Sequence, residues 1–298
     1  MNVPFQYFGE TMALLTAIVW AFSVILFKKS GETVHPIALN LFKNTLAVIL
    51  FLPTMLIFKE TLFRPVPLSD YLLLLLSGFI GIGIGDTLFF KCLNLIGAGL
   101  YAIVDCMYSP FIITLSVLWL GESLTFLQIL GVLLIISAVL TTAQVNKGGT
   151  IIRKSLLLGI LYGILGTAAM AVGLVMIKPI LVRSPLLWST EIRLLGGLIG
   201  IILITFFHPL RRTIISSLFI KKGWGYTLAG SFTGAYLSMF VWLTGMKYAN
   251  VSIASALNQT SNIFVFIFAA VILRERITWQ RMVAIALAIV GVFLVLLN

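Results

Sequence analysis

The stretch SPFIITLSVLWLGESLTFLQILGVLL (Ser109–Leu134) recurs in divergent form as NIFVFIFAAVILRERITWQRMVAIAL (Asn262–Leu287). The two copies lie 153 residues apart, and this alignment sets Glu122 against Glu275. Self-similarity at a fixed offset indicates that one structural unit is present twice. We interpret both glutamates as repeated loop or capping acids at the ends of apolar segments.

A second match extends the repeat toward the start of each half. LFKNTLA matches EIRLLGG at an offset of 150 residues, and Lys43 aligns with Arg193. The chain therefore consists of two homologous halves. We place them at residues 1–148 and residues 149–298.

The composition is that of a membrane protein, since 60% of the 298 residues are hydrophobic and 10% are charged. Soluble domains have about 45–50% apolar and about 25% charged residues. Apolar segments long enough to cross a bilayer recur along the whole chain. The ten candidate spans are Met12–Phe27, Pro36–Phe58, Asp70–Asn94, Ala98–Leu120, Phe126–Ala143, Leu156–Ile177, Leu186–Phe207, Trp224–Met246, Val251–Leu273 and Trp279–Leu297.

Each half holds five candidate spans, so the second half must enter the membrane from the side opposite to the first. We predict an all-α integral membrane protein with ten transmembrane helices, arranged as two inverted-topology five-helix repeats. Such repeats are characteristic of secondary transporters, in which two similar halves form inward-open and outward-open states. The alternative is a duplication with a purely structural role.

Positive charges are distributed unevenly between the connections. Thirteen Lys and Arg residues follow odd-numbered spans and five follow even-numbered spans. The positive-inside rule then places the odd connections in the cytoplasm and both termini outside. The net charge of +11 reflects headgroup contacts, so we expect no nucleic-acid partner. Because no Lys or Arg precedes the first span and no small-x-small cleavage site follows it, we expect a retained helix there.

Each half has a fourth helix, led by Pro or Asn, that runs into LGES-T or LRER-T and then a fifth helix rich in Gly or Ala. Over Leu14–Val295 this order resembles the EamA-type transporters of the drug/metabolite transporter superfamily. The resemblance implies a ten-helix carrier of small metabolites, often an exporter of amino acids or related solutes. It also implies a central cavity lined by the third, fourth, eighth and ninth helices. We expect a multi-pass protein of a bacterial or archaeal cell membrane.

Individual positions also follow the resemblance, with one departure. Lys43 and Arg193 match a basic position that the family often has in its second and seventh helices. Asn262 stands where the second half of many relatives has proline. This departure leaves open whether the ninth helix is broken like the fourth.

The fourth span carries a polar face centred on Asp105. Tyr101 lies four residues before Asp105, and Tyr108 and Ser109 lie three and four residues after it. This spacing places all four side chains on one helical face. Charged side chains within a membrane normally face the bundle interior or a watery cavity. We therefore predict a substrate-binding face here.

The ninth span carries the equivalent face. Asn258 aligns with Asp105, Asn262 aligns with Ser109, and Ser255 and Ser261 extend the polar surface. The two faces would meet across the pseudo-two-fold axis and bind substrate between them. The alternative is that Asn and Ser form interhelical hydrogen bonds that only stabilise packing, worth about 0.6 kcal/mol each.

Pro110 lacks a backbone N–H, so the fourth span should kink at this point. The carbonyl of Cys106 should then lose its helical partner and become available beside Asp105 for a cation or an ammonium group. Transporters place substrates at broken helices near the membrane midplane. A kink that serves packing alone is the alternative.

Three further charged residues within spans are candidate site residues. Asp86 is predicted to bind a proton or a protonated amine, or alternatively to form a structural pair with Lys43. Lys43 and Arg193, the latter with Glu191 nearby, could contact anionic groups or form gates. Alternatively, the stems of both basic residues could snorkel to the membrane interface.

Small and aromatic residues complete the pattern. Gly78, Gly81 and Gly85 should share one helical face that allows a neighbouring helix to approach closely, as should the GSFTG segment at Gly230–Gly234. Trp20 is predicted to form a wall of the substrate cavity together with Tyr101.

Enzyme signatures are absent from the sequence, which has no H-E-x-x-H, G-x-S-x-G or Walker loop. We therefore predict a transporter of a small polar or zwitterionic metabolite, with no prosthetic cofactor and no metal. Its partners would be the small-molecule substrate and membrane lipids, in a monomer or a homodimer. The buried carboxylates suit protons as a coupling ion, and facilitated diffusion or exchange fits the sequence equally well. The alternatives are an intramembrane enzyme that uses Asp86 and Asp105, and a scaffold that transports nothing.

Overall fold

The computed structural model describes residues 7–120, 125–144, 153–248 and 257–296. Within these ranges the regular structure is helical, without a β-strand. Glu122 and Ser255 lie outside the described residues. The helices are α1 (Phe8–Ser30), α2 (Pro36–Ile57), α3 (Leu68–Gly78), α4 (Asp86–Asp105), α5 (Tyr108–Leu120), α6 (Phe126–Gln144), α7 (Arg153–Val175), α8 (Lys178–Arg183), α9 (Leu186–Phe207), α10 (Arg211–Ser217), α11 (Trp224–Ser231), α12 (Ser238–Tyr248), α13 (Ser261–Val271) and α14 (Trp279–Leu296).

Several of these helices have the length and composition of membrane spans. Among the described residues, five helical stretches qualify outright: Phe8–Ser30, Pro36–Ile57, Leu68–Asp105, Arg153–Val175 and Leu186–Phe207. Shorter apolar helices lie at Tyr108–Trp119, Phe126–Thr141, Leu257–Val271 and Trp279–Val295. Large apolar side chains such as Leu56, Phe126 and Phe207 point outward. The chain is therefore an all-α, multi-pass membrane protein.

A single glycine divides the long helical stretch Leu68–Asp105. Gly97 has φ 81° and ψ 172°, a conformation that only glycine adopts readily. A Cβ at this position would also lie 2.6 Å from Oε1 of Glu275. The third and fourth predicted spans therefore join here with almost no connecting loop.

Two π-helical segments, Phe79–Gly85 and Phe232–Leu237, lie at equivalent positions of the two halves in the described part of the chain. Asn40 of α2 holds the first of them. Its Nδ2 donates to the carbonyl oxygens of Ile82, at 3.0 Å, and Gly83, at 3.3 Å. A π-helical turn shifts the usual backbone pairing, and π-segments are frequent at functional sites. The Asn40 amide thus satisfies carbonyl groups where the helix is distorted.

The glycines of this segment pack against two helices. A Cβ at Gly81 would lie 3.7 Å from the Cα of Gly173 on α7, and Gly85 faces the same helix. Gly78 instead faces α9, where a Cβ would overlap the carbonyl group of Arg193. The prediction of one shared glycine face is therefore wrong. The i→i+5 hydrogen bonds of the π-helix widen the turn and move the later glycines to a different face.

The equivalent glycines of the second half pack against α1. A Cβ at Gly234 would lie 2.8 Å from Cε2 of Phe27 and 2.9 Å from the Cβ of Ser23. Gly230 faces the Phe27 ring from the preceding turn. This confirms the close helix approach that the GSFTG segment predicts.

One end of the bundle, called here the His35 end, holds the connections that follow α1 and α9. The His35 and His208 rings meet edge to face with centroids 6.3 Å apart. Ser30 Oγ and Thr227 Oγ1 lie 2.6 Å apart, which joins the end of α1 to the start of α11. These contacts place the residues that follow the first and seventh predicted spans on the same side of the bundle.

His35 also caps α2. Its Nδ1 accepts a hydrogen bond from the backbone N–H of Ile37 at 3.3 Å, which requires an unprotonated Nδ1. Burial lowers the pKa of the His35 imidazole, and nearby His208 and Lys91 lower it further. The lowered pKa favours the neutral ring that the cap needs.

Glu275 caps the helical turn that begins after Gly97 at the same end. Its Oε1 accepts from the Ala98 N–H at 2.8 Å and its Oε2 accepts from the Gly99 N–H at 3.0 Å. A carboxylate at a helix N-terminus satisfies free donors and interacts favourably with the helix dipole. The interpretation of Glu275 as a capping acid is thereby confirmed.

The opposite end, called here the Glu60 end, holds the connections that follow α2 and α8. Glu60 Oε2 accepts a hydrogen bond from the backbone N–H of Trp188 at 3.0 Å. Phe8 and Tyr248 pack edge to face with ring centroids 5.5 Å apart, so α1 begins beside the end of α12. The described connections thus lie at two opposite ends of one helical bundle.

Candidate functional site

Lys43 on α2 and Asp86 at the start of α4 form a buried ion pair, and these residues are 7% and 9% exposed. Lys43 Nζ also lies 5.7 Å from the centroid of the Phe90 ring. A buried charge is strongly unfavourable unless it is paired, so each residue requires the other. The structural pairing considered for Asp86 is therefore present, and the alternative of a snorkelling Lys43 is wrong because its ammonium group points inward.

Arg193 on α9 also points into the bundle. Its Nε donates to Ser77 Oγ at 3.0 Å, and Ser77 Oγ donates in turn to the Gly173 carbonyl at 2.5 Å. Asp86 and Tyr108 lie close enough to interact with its charge. Snorkelling is therefore wrong for Arg193 as well, because its guanidinium group binds Ser77 inside the bundle.

Asp105 is held by its own helix. The Tyr101 hydroxyl donates to Asp105 Oδ1 at 2.7 Å, one turn away on α4. Phe89 packs on Tyr101 with ring centroids 4.7 Å apart, and Trp20 lies 6.2 Å from Phe89. Phe89 thus contacts both rings and connects Trp20 to Tyr101, while the predicted cavity wall of Trp20 and Tyr101 stays a prediction.

The helix of the fourth span is interrupted directly after Asp105, since α4 ends at this residue and α5 begins at Tyr108. The kink predicted from Pro110 is confirmed. The prediction of a free carbonyl at Cys106 is wrong, because its oxygen accepts from the N–H of the buried Ser109 at 3.3 Å. A tighter i→i+3 turn satisfies the group that proline leaves without a partner.

The second half breaks at the equivalent place without a proline. Residues 257–259 are helical, Thr260 forms a turn and α13 begins at Ser261. Thr260 Oγ1 donates to the Leu257 carbonyl at 2.5 Å, a local bond that competes with helical pairing. Thr260 lies 153 residues after Met107, the corresponding break in the first half. The ninth predicted span is therefore broken like the fourth.

The two breaks meet through Asn262. Its Nδ2 lies 3.5 Å from the Sγ of Cys106, the residue that follows Asp105. Asn262 is buried, and within the described ranges its Oδ1 has no hydrogen-bond partner. Asn258 lies half-buried one turn earlier. The fourth and ninth spans thus contact each other at their breaks. That their polar faces bind substrate together stays a prediction.

Tyr108 joins the two parts of this polar region. It lies close enough to both Asp105 and Arg193 to interact with their charges. One half-buried tyrosine at the helix break therefore lies within the electrostatic influence of both a carboxyl group and a guanidinium group. This arrangement can accept a cationic group at one side and an anionic group at the other.

The described residues show no metal-binding cluster, since no three His, Cys, Asp or Glu side chains there group closely enough to hold an ion. Cys92 and Cys106 are buried free thiols. The chemistry of the region is that of charged and hydrogen-bonding side chains.

Sequence reasoning missed three residues of the region. Asn40 lies three residues before Lys43, so its position on the same helical face was readable from the sequence. Ser77, which accepts a hydrogen bond from Arg193, directly precedes the glycine segment. Its position in the sequence does not distinguish it from other small residues of the spans. Phe89 resembles any other apolar residue of a span, and no sequence signal distinguishes it.

Comparisons with known proteins bear on the whole chain. Residues 7–144 and residues 157–297 each match the EamA-like transporter family. The chain is similar to an uncharacterized transporter of Archaeoglobus fulgidus, with 24% identity over 290 residues that cover 96% of this chain and 97% of that protein. It also resembles a solved crystal structure with a TM-score of 0.68 and 19% identity, covering 97% of this chain and 96% of the other. That structural likeness concerns the fold alone.

Proposed function

Because the chain belongs to the EamA-like transporter family, we propose that this membrane transporter carries a small polar or zwitterionic metabolite by alternating access. The moving parts would be two five-helix repeats of inverted topology, residues 1–148 and residues 149–298. The proposal concerns the substrate class, the mechanism and the residues that bind the substrate.

The directions of equivalent helices support the inverted repeat. α1 begins at the Glu60 end, where Phe8 meets Tyr248, and finishes at the His35 end, where Ser30 meets Thr227. α7 is followed by α8, whose Arg183 pairs with Asp70 at the start of α3, 2.6 Å away. α7 therefore finishes near the Glu60 end and runs opposite to α1. The separate family matches to each half agree with this division.

The packing between halves supports alternating access. The first π-helical segment packs against α7 and α9 of the other half, and the second packs against α1 and α2. The two halves thus contact each other through equivalent segments. If each half adopted the conformation of the other, the result would be a second conformation of the transporter with similar energy.

One observation carries the proposed substrate class: the charges of Asp105 and Arg193 both act on Tyr108, which lies where the fourth span breaks. A zwitterion presents an ammonium group and a carboxylate, which match these two side chains. Tyr101, Ser109, Asn258 and Asn262 would supply hydrogen bonds around them. Lys43 and Asp86 neutralise each other and would position the neighbouring π-helical segment.

A thermal-shift screen of the purified protein tests the substrate class. Amino acids, amines, sugars and nucleosides would be tested singly, because a ligand that binds the folded state stabilises it by about 2.7 kcal/mol at 100 times its Kd. We expect stabilisation by amino acids or similar zwitterions. Failure of every class to stabilise the protein would contradict the small-metabolite proposal.

Flux of the stabilising compound into reconstituted vesicles tests the site. Asp105→Asn should reduce this flux at least about tenfold, the loss expected when a charge-assisted contact worth about 1.4 kcal/mol or more is removed. Asp70→Asn is the matched control, because Asp70 pairs with Arg183 at the end of the bundle. Equal flux in wild type and Asp105→Asn would remove Asp105 from the site.

The enzyme alternative receives no support from the arrangement of the two aspartates. Asp86 pairs with Lys43, whereas Asp105 accepts a hydrogen bond from Tyr101. Each carboxyl group therefore has a partner of its own, unlike the proton-sharing pair of an aspartyl enzyme. Covalent conversion of a stabilising compound by the purified protein would revive that alternative.

A further inference from the structure

Glu191 is a buried acid that the proposed substrate site does not use. Its side chain lies on α9 with 0% exposure. Both carboxyl oxygens are buried, and neither has a hydrogen-bond partner among the described residues. Buried polar groups are nearly always hydrogen-bonded, so a carboxyl group with two unsatisfied oxygens requires an explanation.

The surroundings of Glu191 are apolar. Leu187, Trp188 and Leu194 lie three or four residues away on the same face of α9. All three belong to one buried apolar cluster that also contains Phe51 of α2. Glu191 is therefore buried on a helix face whose neighbouring residues belong to an apolar cluster.

Charged groups on α9 and α2 are engaged elsewhere. Arg193 lies two residues along α9 and therefore points away from Glu191, toward Ser77. Lys43 of α2 pairs with Asp86 beside the π-helical segment.

The remaining elements packed against α9 leave Glu191 equally without a partner. On α3, Asp70 pairs with Arg183, and the Tyr71 hydroxyl donates to the backbone of the preceding loop. On α10, Arg211 donates to the Phe206 carbonyl and Arg212 is exposed.

The repeat shows that the fold does not need an acid at this position. The residue of the first half that aligns with Glu191 at an offset of 150 is Leu41. A leucine would suit the apolar surroundings of Glu191 better than a carboxyl group. The glutamate is therefore a feature of the second half alone and is unfavourable for packing.

An ionised carboxylate without a partner is strongly unfavourable in such a place, whereas the protonated acid is tolerated. We propose that Glu191 is a proton-binding site, protonated in the conformation described here and deprotonated when alternating access exposes it to water. Glu191 would thereby couple substrate movement to a proton gradient. This inference rests on the proposed transport function for its coupling role, but not for proton binding.

Infrared spectroscopy of the protein in lipid vesicles tests proton binding without any substrate. A protonated carboxyl group has a C=O stretch that is separate from the band of a carboxylate. We expect this band in the wild-type protein at neutral pH and its loss in Glu191→Gln, which has nearly the same shape as the protonated acid. Asp70→Asn should leave the band unchanged. A wild-type spectrum without a band that depends on Glu191 would overturn the inference.

Vesicles that contain a pH-sensitive dye test the coupling role, with single amino acids as probes. In Glu191→Gln, exchange of a carried amino acid should continue while the accompanying proton movement falls at least about tenfold, in line with loss of the proposed coupling group. Glu191→Leu, which copies the first half, should behave in the same way. Unchanged proton movement in both variants would overturn coupling through Glu191. If no amino acid is carried, the proposed zwitterionic substrate class fails, while the infrared band still decides proton binding.

Discussion

At the scale of single residues, the Lys43–Asp86 pair explains how two charges persist inside an apolar bundle. Both residues are buried, and each is the ionic partner of the other. Such a pair need not add stability relative to apolar residues of similar volume. Its effect is clearest when one member is removed and the other remains as an isolated charge.

We predict that Lys43→Met or Asp86→Asn alone destabilises the protein by about 3–5 kcal/mol, because each leaves one buried charge without its partner. The double variant should be less destabilised than the sum of the two single variants, since neither charge then remains. Thermal unfolding of the purified protein in detergent measures all three effects. Additive effects of the two substitutions would contradict the pairing.

Some side-chain contacts of the candidate site can be predicted from the sequence and others cannot. The spacing of Tyr101 and Asp105 predicts their hydrogen bond, because residues four apart face each other on a helix. The inward direction of Lys43 and Arg193 was not predictable, since a long basic side chain can extend either way. Burial of Glu191 also depends on helices distant in sequence.

At the scale of elements, the glycine at position 97 and the carboxylate at position 275 together form the join between two spans. Gly97 supplies a backbone conformation with positive φ, and Glu275 satisfies the N–H groups of Ala98 and Gly99. The cap comes from the second half of the chain, so it also ties the halves together at the His35 end.

We predict that Glu275→Gln costs about 0.5–2 kcal/mol, because the amide supplies one acceptor and removes the charge that the helix N-terminus favours. Amide hydrogen exchange at residues 98–101 should accelerate in this variant. Glu32→Gln is the control, since Glu32 is an exposed acid at the same end. Unchanged exchange at residues 98–101 would show that the cap does not stabilise the turn.

The sequence predicts helices well where the length of an apolar segment determines them. It predicts them poorly where contacts with other helices determine their shape. The predicted boundary between Asn94 and Ala98 falls within a few residues of the observed break at Gly97. The π-helical segments were not predictable, because the first depends on an Asn40 side chain from another helix. No proline predicts the helix break at Thr260, although the repeat indicates its position.

At the scale of the whole molecule, the contacts sort the described connections into two ends. Thr33 Oγ1 donates to the Lys222 carbonyl at 3.0 Å at the His35 end, whereas Glu60 binds Trp188 at the other. The predicted excess of Lys and Arg follows odd-numbered spans, and the described connections after the first, third, seventh and ninth spans lie at the His35 end. The sequence therefore predicts both the two-ended arrangement and its charge difference, but the orientation remains a prediction from the positive-inside rule.

We predict that the His35 end lies in the cytoplasm. Single cysteines introduced as Glu32→Cys and Lys222→Cys, in a background whose buried Cys92 and Cys106 are replaced by serine, should react with an impermeant maleimide only after the membrane is permeabilised. Phe63→Cys is the matched control, because Phe63 is 86% exposed in the connection at the Glu60 end and should react in intact cells. Opposite results at all three positions would show that the His35 end lies outside the cell, and they would still agree with the fold. Labelling of Glu32→Cys and Lys222→Cys from different sides would contradict the fold, because their connections contact each other at one end of the bundle.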